Sequence, residues 1–104
     1  MRRLEIAYSK ILDDYKTDIS LNQLALETCM SKYNLIKSFK QVYKKTPKQL
    51  QIERRIQKGR ELLKVRSDMS VTEIATTLGY ADLASFSNQF KKMTGVPPSS
   101  VKQC

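Results

Sequence analysis

The side chains with the clearest capacity for binding chemistry are lysines that no acidic residue balances. Between Thr28 and Ile52 the chain has six lysines and no Asp or Glu, and after Leu83 its three lysines are again unopposed. Uncompensated ammonium groups attract polyanions, although a lysine-rich stretch taken alone also occurs on surfaces that contact only solvent. These lysines are Lys32, Lys37, Lys40, Lys44, Lys45, Lys48, Lys91, Lys92 and Lys102.

The charge is distributed unevenly along the 104 residues. The whole chain has 19 basic and 10 acidic side chains, for a net charge of +9. Residues 1–27 have four basic and five acidic side chains, a net −1, whereas residues 28–104 have fifteen basic and five acidic ones, a net +10. The excess positive charge after the first quarter predicts an anionic partner, and the acidic residues near position 14 would repel one.

Enzymatic activity is not expected. The chain has no histidine, the side chain that most often serves as a general base or metal ligand near neutral pH. Its two cysteines, Cys29 and Cys104, lie 75 residues apart without a CxxC pair, which leaves too few ligands for a structural zinc site. We therefore predict no catalytic residue, no metal and no cofactor.

The sequence also predicts a cytoplasmic protein. A disulfide between Cys29 and Cys104 stays open, but one bridge to the last residue is a poor framework for a secreted domain. No apolar N-terminal stretch resembles a signal peptide, and no window approaches 18 consecutive apolar residues. We therefore expect no membrane partner.

The elements that must position the lysines are helices. A content of 40% apolar residues with only three Gly and three Pro is typical of a folded helical domain. Leu4, Tyr8, Ile11 and Tyr15 recur at the helical period and predict a first helix over residues 3–16. Ser20 and Gln23 form a potential capping box that opens a short helix, which stops near Thr28.

Two further helices follow in the first half. Ser31 is a potential cap for a helix with an apolar stripe of Leu35, Phe39 and Val42, whose opposite face carries Lys32, Tyr33, Lys37 and Lys40. Thr46, Pro47 and Gln49 then form an unusually complete helix start, and this helix should run to about Arg66.

The long helix has one apolar stripe and is otherwise basic. Gly59 lies on this stripe and costs about 1 kcal/mol relative to Ala. We expect the backbone of another element to pack closely against it, and the alternative that the helix simply tolerates this glycine stays open. The stripe consists of Ile52, Ile56, Gly59 and Leu63, with Leu62 beside it, and Arg54, Arg55, Lys58, Arg60, Lys64 and Arg66 fill the rest of the surface.

After this helix the chain repeats itself. Ser70 and Glu73 form a second capping box, 50 residues after Ser20 and Gln23. After one extra residue in the turn the offset becomes 51, at which Phe90 matches Phe39. The other matches are Ile74 with Leu24, Ala75 with Ala25, Gly79 and Tyr80 with Cys29 and Met30, Phe86 with Leu35, Lys91 with Lys40, and Pro98 with Pro47.

Each repeat is a short helix, a tight turn and a second helix capped by Ser31 or Asp82, the pattern of a helix-turn-helix. The DNA major groove, about 12 Å wide, admits one such helix. Two units with unopposed lysines on both second helices predict double-stranded DNA binding. The phenylalanines Phe39, Phe86 and Phe90 lie on apolar stripes, so we assign them to the core and not to base stacking.

The chain resembles the AraC/XylS family of transcriptional regulators over about residues 5–102. The residues that carry the resemblance are Gly79-Tyr80-Ala81-Asp82, Ser85-Phe86-Ser87, Phe90-Lys91-Lys92, Thr94-Gly95-Val96 and Pro97-Pro98-Ser99, together with Ala25, Ser31, Leu35, Phe39-Lys40, Arg55, Leu62 and Leu63. The resemblance implies an all-α domain of seven helices: a first helix-turn-helix unit over 1–46, a linker helix over 47–66 and a second unit over 67–104. It also implies either a C-terminal domain cut from a longer regulator or a regulator that stands alone.

The resemblance further implies which residues contact DNA. In the first unit Lys32, Tyr33, Ile36 and Lys37 would face bases, while Ser31 and Lys40 would approach phosphates. The unopposed charge of Lys44 makes it a further candidate for a phosphate contact. In the second unit Leu83, Ala84, Ser85 and Asn88 would face bases, with Ser87, Lys91 and Lys92 beside the backbone. The family often has Arg at the position of Asn88, and polar residues at those of Leu83 and Ala84. Asn pairs with adenine and Leu or Ala touches a thymine methyl, so this unit favours A·T-rich steps.

A linker helix of 19 residues, about 28 Å long, approaches one DNA turn of about 34 Å once the docked helices are added. We therefore predict that a monomer reads adjacent major grooves of a non-palindromic site. Two alternatives stay open, an RNA-binding protein and a helical protein-interaction module. RNA polymerase stays open as an additional partner.

Overall fold

The predicted all-α architecture is confirmed. The computed structural model describes residues 2–102, apart from the side chain of Arg2, and within this range it contains seven helices and no strand. None of the described helices is long and apolar enough to cross a membrane. The helices are α1 (Arg2–Asp13), α2 (Leu21–Thr28), α3 (Lys32–Tyr43), α4 (Pro47–Val65), α5 (Val71–Thr77), α6 (Leu83–Thr94) and α7 (Pro98–Val101).

Side-chain caps start the helices that form the two repeats. The hydroxyl of Ser31 accepts a hydrogen bond from the Asn34 amide at 3.1 Å, and a carboxylate oxygen of Asp82 accepts one from the Ser85 amide at 2.8 Å. The predicted capping boxes at Thr46 and Ser70 are complete, because the Gln49 and Glu73 side chains bond back to the cap amides. These caps satisfy amides that have no partner inside the helix.

The predicted capping box at Ser20 is only half formed. Its hydroxyl accepts from the Gln23 amide at 3.2 Å, as expected. The Gln23 side chain, however, donates to Glu27 one turn further along α2, at 3.3 Å. An uncharged amide can donate as well as accept, and here the nearby carboxylate attracts its NH₂ group.

The first helix ends earlier than the predicted residue 16. Helix α1 stops at Asp13, and the Thr17 amide donates to the Asp14 carbonyl in a turn. Carboxylates at a helix C-terminus face the negative end of the helix dipole, so Asp13 and Asp14 disfavour another turn. Tyr15 therefore lies in the loop.

The chain divides into two compact units, the first ending at Ile52 and the second beginning at Glu53, within α4. Tyr43 joins the core of the first unit, where its ring centroid lies 4.6 Å from that of Tyr8 and 4.7 Å from that of Phe39. The prediction that Val42 completes this stripe was wrong, since Val42 is 47% exposed. The buried residues of this core are Leu4, Ala7, Ile11, Leu24, Leu35, Phe39 and Leu50.

Gln51 has no exposed surface and ties α4 to the loop after α1 within the first unit. Its side-chain amide donates to the carbonyl of Tyr15 at 3.3 Å and to that of Thr17. Two loop carbonyls are thereby satisfied by a buried side chain. No local sequence pattern marks Gln51 as a buried residue.

The core of the second unit forms around Phe86 and Phe90, whose rings meet edge to face with centroids 5.5 Å apart. Gly59 is buried beside Phe86, and a Cβ atom there would lie 3.1 Å from side-chain atoms of Leu78 and Phe86. The expected backbone neighbour of Gly59 is therefore wrong, because its neighbours are side chains. The buried apolar residues are Ile56, Leu63, Ile74, Ala75, Leu78, Tyr80, Phe86 and Phe90.

The internal repeat is confirmed in the backbone. Cys29 and its counterpart Gly79 both have positive φ, 56° and 100°. In both turns the following amide, of Met30 or Tyr80, donates to a carbonyl five residues earlier, at 3.0 and 3.1 Å. Two sequences that differ at most positions thus form the same turn.

Candidate nucleic-acid interface

Helix α3 presents one outward face near its N-terminus. Lys32, Tyr33 and Lys37 are exposed, and Tyr33 is 71% exposed. Residues four apart on a helix share a face, so Tyr33 and Lys37 are neighbours. Ile36 is only half-buried, and it borders a shallow cavity with Leu21 and Pro47.

The Lys37 ammonium lies over the Tyr33 ring, 5.8 Å from its centroid. A cation above an aromatic face is attracted by the ring quadrupole, which restrains an otherwise flexible side chain. Among the described residues, no carboxylate pairs with Lys32, Lys37 or Lys40. The face therefore offers phenol and ammonium groups whose charge is not neutralised within the unit.

The predicted phosphate-contacting residues of the first unit flank this face. Ser31 caps the start of α3 and is exposed. Lys40 and Lys44 lie at the other end of the helix and are also exposed, and the Lys44 amide donates to the Lys40 carbonyl at 2.9 Å. Polar and charged groups at the two ends of the helix are suited to contact the phosphates of a nucleic-acid strand that extends beyond the helix on both sides.

Helix α6 presents a different surface. Leu83 is 39% exposed, and Ala84, Ser85 and Asn88 are exposed as well. Hydrogen bonds from the backbone and then the side chain of Ser85 hold the pKa of Asp82 below its ordinary value. Ser85 takes part in the cap through its backbone amide, and Asn88, three residues further along, is the other exposed polar side chain at the start of this helix.

The predicted phosphate-contacting residues of the second unit lie farther along α6. Lys91 and Lys92 are exposed in its last turn, whereas Ser87 is half-buried. Neither lysine pairs with a carboxylate in the part of the chain that is described. Each unit thus has one outward face with basic residues at its C-terminal end.

The structure also identifies residues near α6 that sequence reasoning missed. Arg55 was assigned to the surface of α4, and that prediction was wrong because only 5% of the residue is exposed. Its guanidinium carbon lies 5.1 Å from the centroid of the Tyr80 ring, which offers it a π face. A signal was available, since Arg55 precedes Gly59 by four residues and so shares its buried stripe.

Within residues 2–102, no group of three or more His, Cys, Asp or Glu could hold a metal ion. Cys29 is exposed and forms no disulfide, and Cys104 lies outside the described residues. That the protein binds no metal stays a prediction, based on its lack of histidine and the wide separation of its two cysteines.

Comparisons with known proteins agree with this architecture. A family model described as a helix-turn-helix domain matches residues 24–103. The MmsAB operon regulatory protein of Pseudomonas aeruginosa is 32% identical over 85 residues, which cover 82% of this chain and 27% of that protein. The chain spans 27% and 34% of the length of the first two curated relatives that it matches.

Solved structures show the same fold. The C-terminal domain of AraT, a response regulator from Geobacillus stearothermophilus, superposes with a TM-score of 0.90 at 27% identity, covering 98% of this chain and 84% of that one. The DNA-binding domain of AdpA, a global transcriptional factor solved in complex with a target DNA, has a TM-score of 0.84 at 23% identity, covering 93% and 86%. The second likeness is evidence for the fold alone.

Proposed function

The chain belongs to the AraC-type family of helix-turn-helix domains found in transcriptional regulators, and on that premise we propose that it regulates transcription by binding double-stranded DNA through α3 and α6. The observation that carries the proposal is the repeated outward face. In each unit a capped second helix leaves polar side chains exposed near its start and unneutralised lysines near its end.

The two faces would divide the work between bases and phosphates. On α3 we assign base contacts to Lys32, Tyr33, Ile36 and Lys37, and phosphate contacts to Ser31, Lys40 and Lys44. On α6 we assign base contacts to Leu83, Ala84, Ser85 and Asn88, and phosphate contacts to Ser87, Lys91 and Lys92. Phosphate contacts fix the register of the protein, and base contacts supply sequence preference.

The duplex is favoured over RNA by the placement of the aromatic residues. Sequence-specific RNA binding usually needs exposed aromatic side chains on which bases stack. Here Tyr33 is the exposed aromatic residue, and the other seven are buried or half-buried. A single exposed ring offers too little surface for the stacking of several RNA bases. We therefore favour insertion of this helix into the major groove of duplex DNA.

The wider setting belongs to the same proposal. We place the protein in the cytoplasm, where promoter DNA is accessible to a bacterial-type regulator, and we expect this domain to act as a monomer without a cofactor or catalytic activity. A contact with RNA polymerase would add to DNA binding and would not replace it.

Titration against duplex DNA, single-stranded DNA and RNA at several salt concentrations tests the proposal. If lysines and linker arginines neutralise about six phosphates, log K should fall with log salt at a slope of about −5. Lys40→Ala and Lys91→Ala should each reduce this slope by about 1.

Lys16→Ala is the matched control, because it removes the same charge from an exposed lysine in the acidic first quarter of the chain. It should leave the slope unchanged. A duplex slope shallower than about −2 would mean that the lysines are merely solvated. Tighter binding to RNA than to duplex would instead support the RNA-binding alternative.

A further inference from the structure

Arg55, on α4, is a buried cation in the second unit. Its guanidinium carbon lies 5.1 Å from the centroid of the Tyr80 ring, and the residue is 5% exposed. A buried charge is costly unless nearby groups compensate it, so each neighbour of this guanidinium restricts where it can lie. The π face of Tyr80 is one such neighbour.

Tyr80 connects this cation to α6, the helix of the second unit that we assign to DNA contacts and call its reading helix. It follows the positive-φ residue Gly79 in the turn between α5 and α6, and it is 8% exposed. Its ring packs on Phe86 with centroids 5.3 Å apart, and its hydroxyl donates a hydrogen bond to the side-chain oxygen of Gln89. Burial raises the pKa of the Tyr80 phenol above its ordinary value, although the nearby Arg55 cation opposes the shift.

Gln89 accepts the hydrogen bond by which Tyr80 contacts α6, in addition to the packing of Tyr80 on Phe86. It is half-buried, directly follows Asn88, and lies one turn after Ser85. A displacement of Gln89 therefore moves Ser85 and Asn88, the two polar residues among the four that we assign to bases on this helix.

The apolar packing of α6 does not by itself fix how the helix is presented. Phe86 and Phe90 are fully buried, but hydrophobic contact is non-directional and tolerates small rotations and slides. The hydrogen bond from the Tyr80 hydroxyl to Gln89 adds a directional contact, because a hydrogen bond weakens steeply once its donor angle falls below about 120°.

We propose that Arg55, Tyr80 and Gln89 form a clamp that sets the angle at which α6 presents Ser85 and Asn88 to DNA. Arg55 and Tyr80 are positioning residues in this clamp and act through Gln89. The inference rests on the proposed function and adds residues that control its specificity. The repeat in the first unit has Met30 at the position of Tyr80 and Ser38 at that of Gln89, so the clamp is specific to the second unit.

Binding selections over randomised duplex sites test the clamp with Tyr80→Phe, Gln89→Leu and the double variant. The positions read by α6 are first located as those whose base preference changes in Asn88→Ala. At those positions Tyr80→Phe should lower discrimination about fivefold, as expected for one hydrogen bond, with little change elsewhere in the site. In the Gln89→Leu background Tyr80→Phe should have no further effect, because the two residues act in series.

Two further variants separate positioning from general stability. Tyr43→Phe removes a tyrosine hydroxyl from the first unit and should leave the positions read by α6 unchanged. Arg55→Lys keeps a cation near the Tyr80 ring, whereas Arg55→Met removes it. When the two variants have the same thermal stability, Arg55→Lys should retain more base discrimination at the positions read by α6.

The outcomes distinguish the clamp from the function on which it rests. No binding of the wild-type domain to any duplex overturns the proposed function, and the clamp with it. If the wild type binds, a uniform loss across the whole site in Tyr80→Phe overturns the clamp alone. Additive effects of Tyr80→Phe and Gln89→Leu would also overturn it, because they would show that Tyr80 does not act through Gln89.

Discussion

At the scale of single residues the two candidate reading helices differ in chemistry. On α3 the Lys37 ammonium is restrained over the exposed Tyr33 ring. On α6 the cap engages Ser85, and Asn88 remains as a neutral amide. A lysine can donate to guanine O6 and N7, while Asn pairs with adenine, so each helix has one side chain suited to a specific base.

We predict that sequence specificity lies mainly in the first unit. Lys37→Ala should cost about 1–3 kcal/mol of binding free energy and relax the preference at one position of the site, because it removes a charged donor. Binding selections over randomised sites measure both effects. Lys40→Ala is the control and should weaken binding to all sequences alike. A larger loss of sequence information from Asn88→Ala than from Lys37→Ala would contradict the assignment.

At the scale of elements, the start of each reading helix, α3 or α6, is determined by the turn before it and by its capping residue. Both turns need a residue in the left-handed region, which the second unit fills with Gly79 and the first with Cys29. A residue with a Cβ atom is strained there, whereas glycine is not. The caps of α3 and α6 are a hydroxyl and a carboxylate, of which only the carboxylate of Asp82 titrates.

Cys29→Gly should stabilise the first unit. Relief of the left-handed strain exceeds the extra chain entropy of glycine, so the free energy of unfolding should rise by about 0.5–1 kcal/mol. Denaturant unfolding measures the change. Cys29→Ala, which removes the thiol and keeps the Cβ atom, should give no such gain, and Gly79→Ala should destabilise the second unit. Destabilisation by Cys29→Gly would mean that the thiol makes a contribution larger than the strain.

Asp82 makes the stability of α6 depend on pH. Its folded pKa lies below the ordinary value of 3.8, because Ser85 hydrogen-bonds to the carboxylate. A carboxyl with a lowered folded pKa stabilises the fold above its unfolded pKa, and this contribution disappears as the pH falls through the folded pKa. Unfolding free energies of the wild type should therefore decrease from about pH 5 downward and continue to decrease below about pH 3.8.

Asp82→Asn is the matched variant for this pH dependence, since it keeps an acceptor oxygen but cannot titrate. Its unfolding free energy should fall less steeply than that of the wild type over the same range. Asp68, whose pKa Arg66 lowers to about 2, is present in both proteins and contributes equally. Parallel curves for the two proteins would show that the cap does not depend on the charge of Asp82.

At the scale of the whole molecule, two features determine the expected site. The positive charge follows the first quarter of the chain, and the two candidate reading helices differ in sequence. Helix α4 has 19 residues, about 28 Å, and contributes to both units. A symmetric dimer places two identical helices on DNA and therefore needs a palindromic site. A monomer whose two DNA-contacting helices differ in sequence has no such requirement.

We expect the monomeric domain to protect a non-palindromic site of about two helical turns. Hydroxyl-radical footprinting at a protein concentration where sedimentation shows a monomer measures this. Lys40→Ala with Lys44→Ala should weaken protection on one side of the site, and Lys91→Ala with Lys92→Ala on the other. Protection confined to one turn, or a strict need for a palindrome, would contradict two-groove binding.

The sequence by itself determined the features that depend on nearby residues. Caps such as Ser31 and Asp82 act over three residues, and helical periodicity acts over four, so both can be read without knowing what lies opposite. The repeat was predictable because these local signals recur 50 or 51 residues later in the chain. Cys29 and Gly79, which occupy the same place in the two turns, are among the matching positions. The outward faces of α3 and α6 follow from this periodicity, although their contacts with DNA stay predictions.

The tertiary structure alone decided which of two adjacent residues faces the core and which polar groups are buried. Tyr43 and not Val42 packs on Tyr8, because another helix supplies an aromatic neighbour there. The buried side chains of Gln51 and Arg55 contact a loop carbonyl and the Tyr80 ring, which lie 36 and 25 residues away in sequence. Local patterns cannot encode such partners, since the free energy of burying a polar group depends on what the fold places beside it.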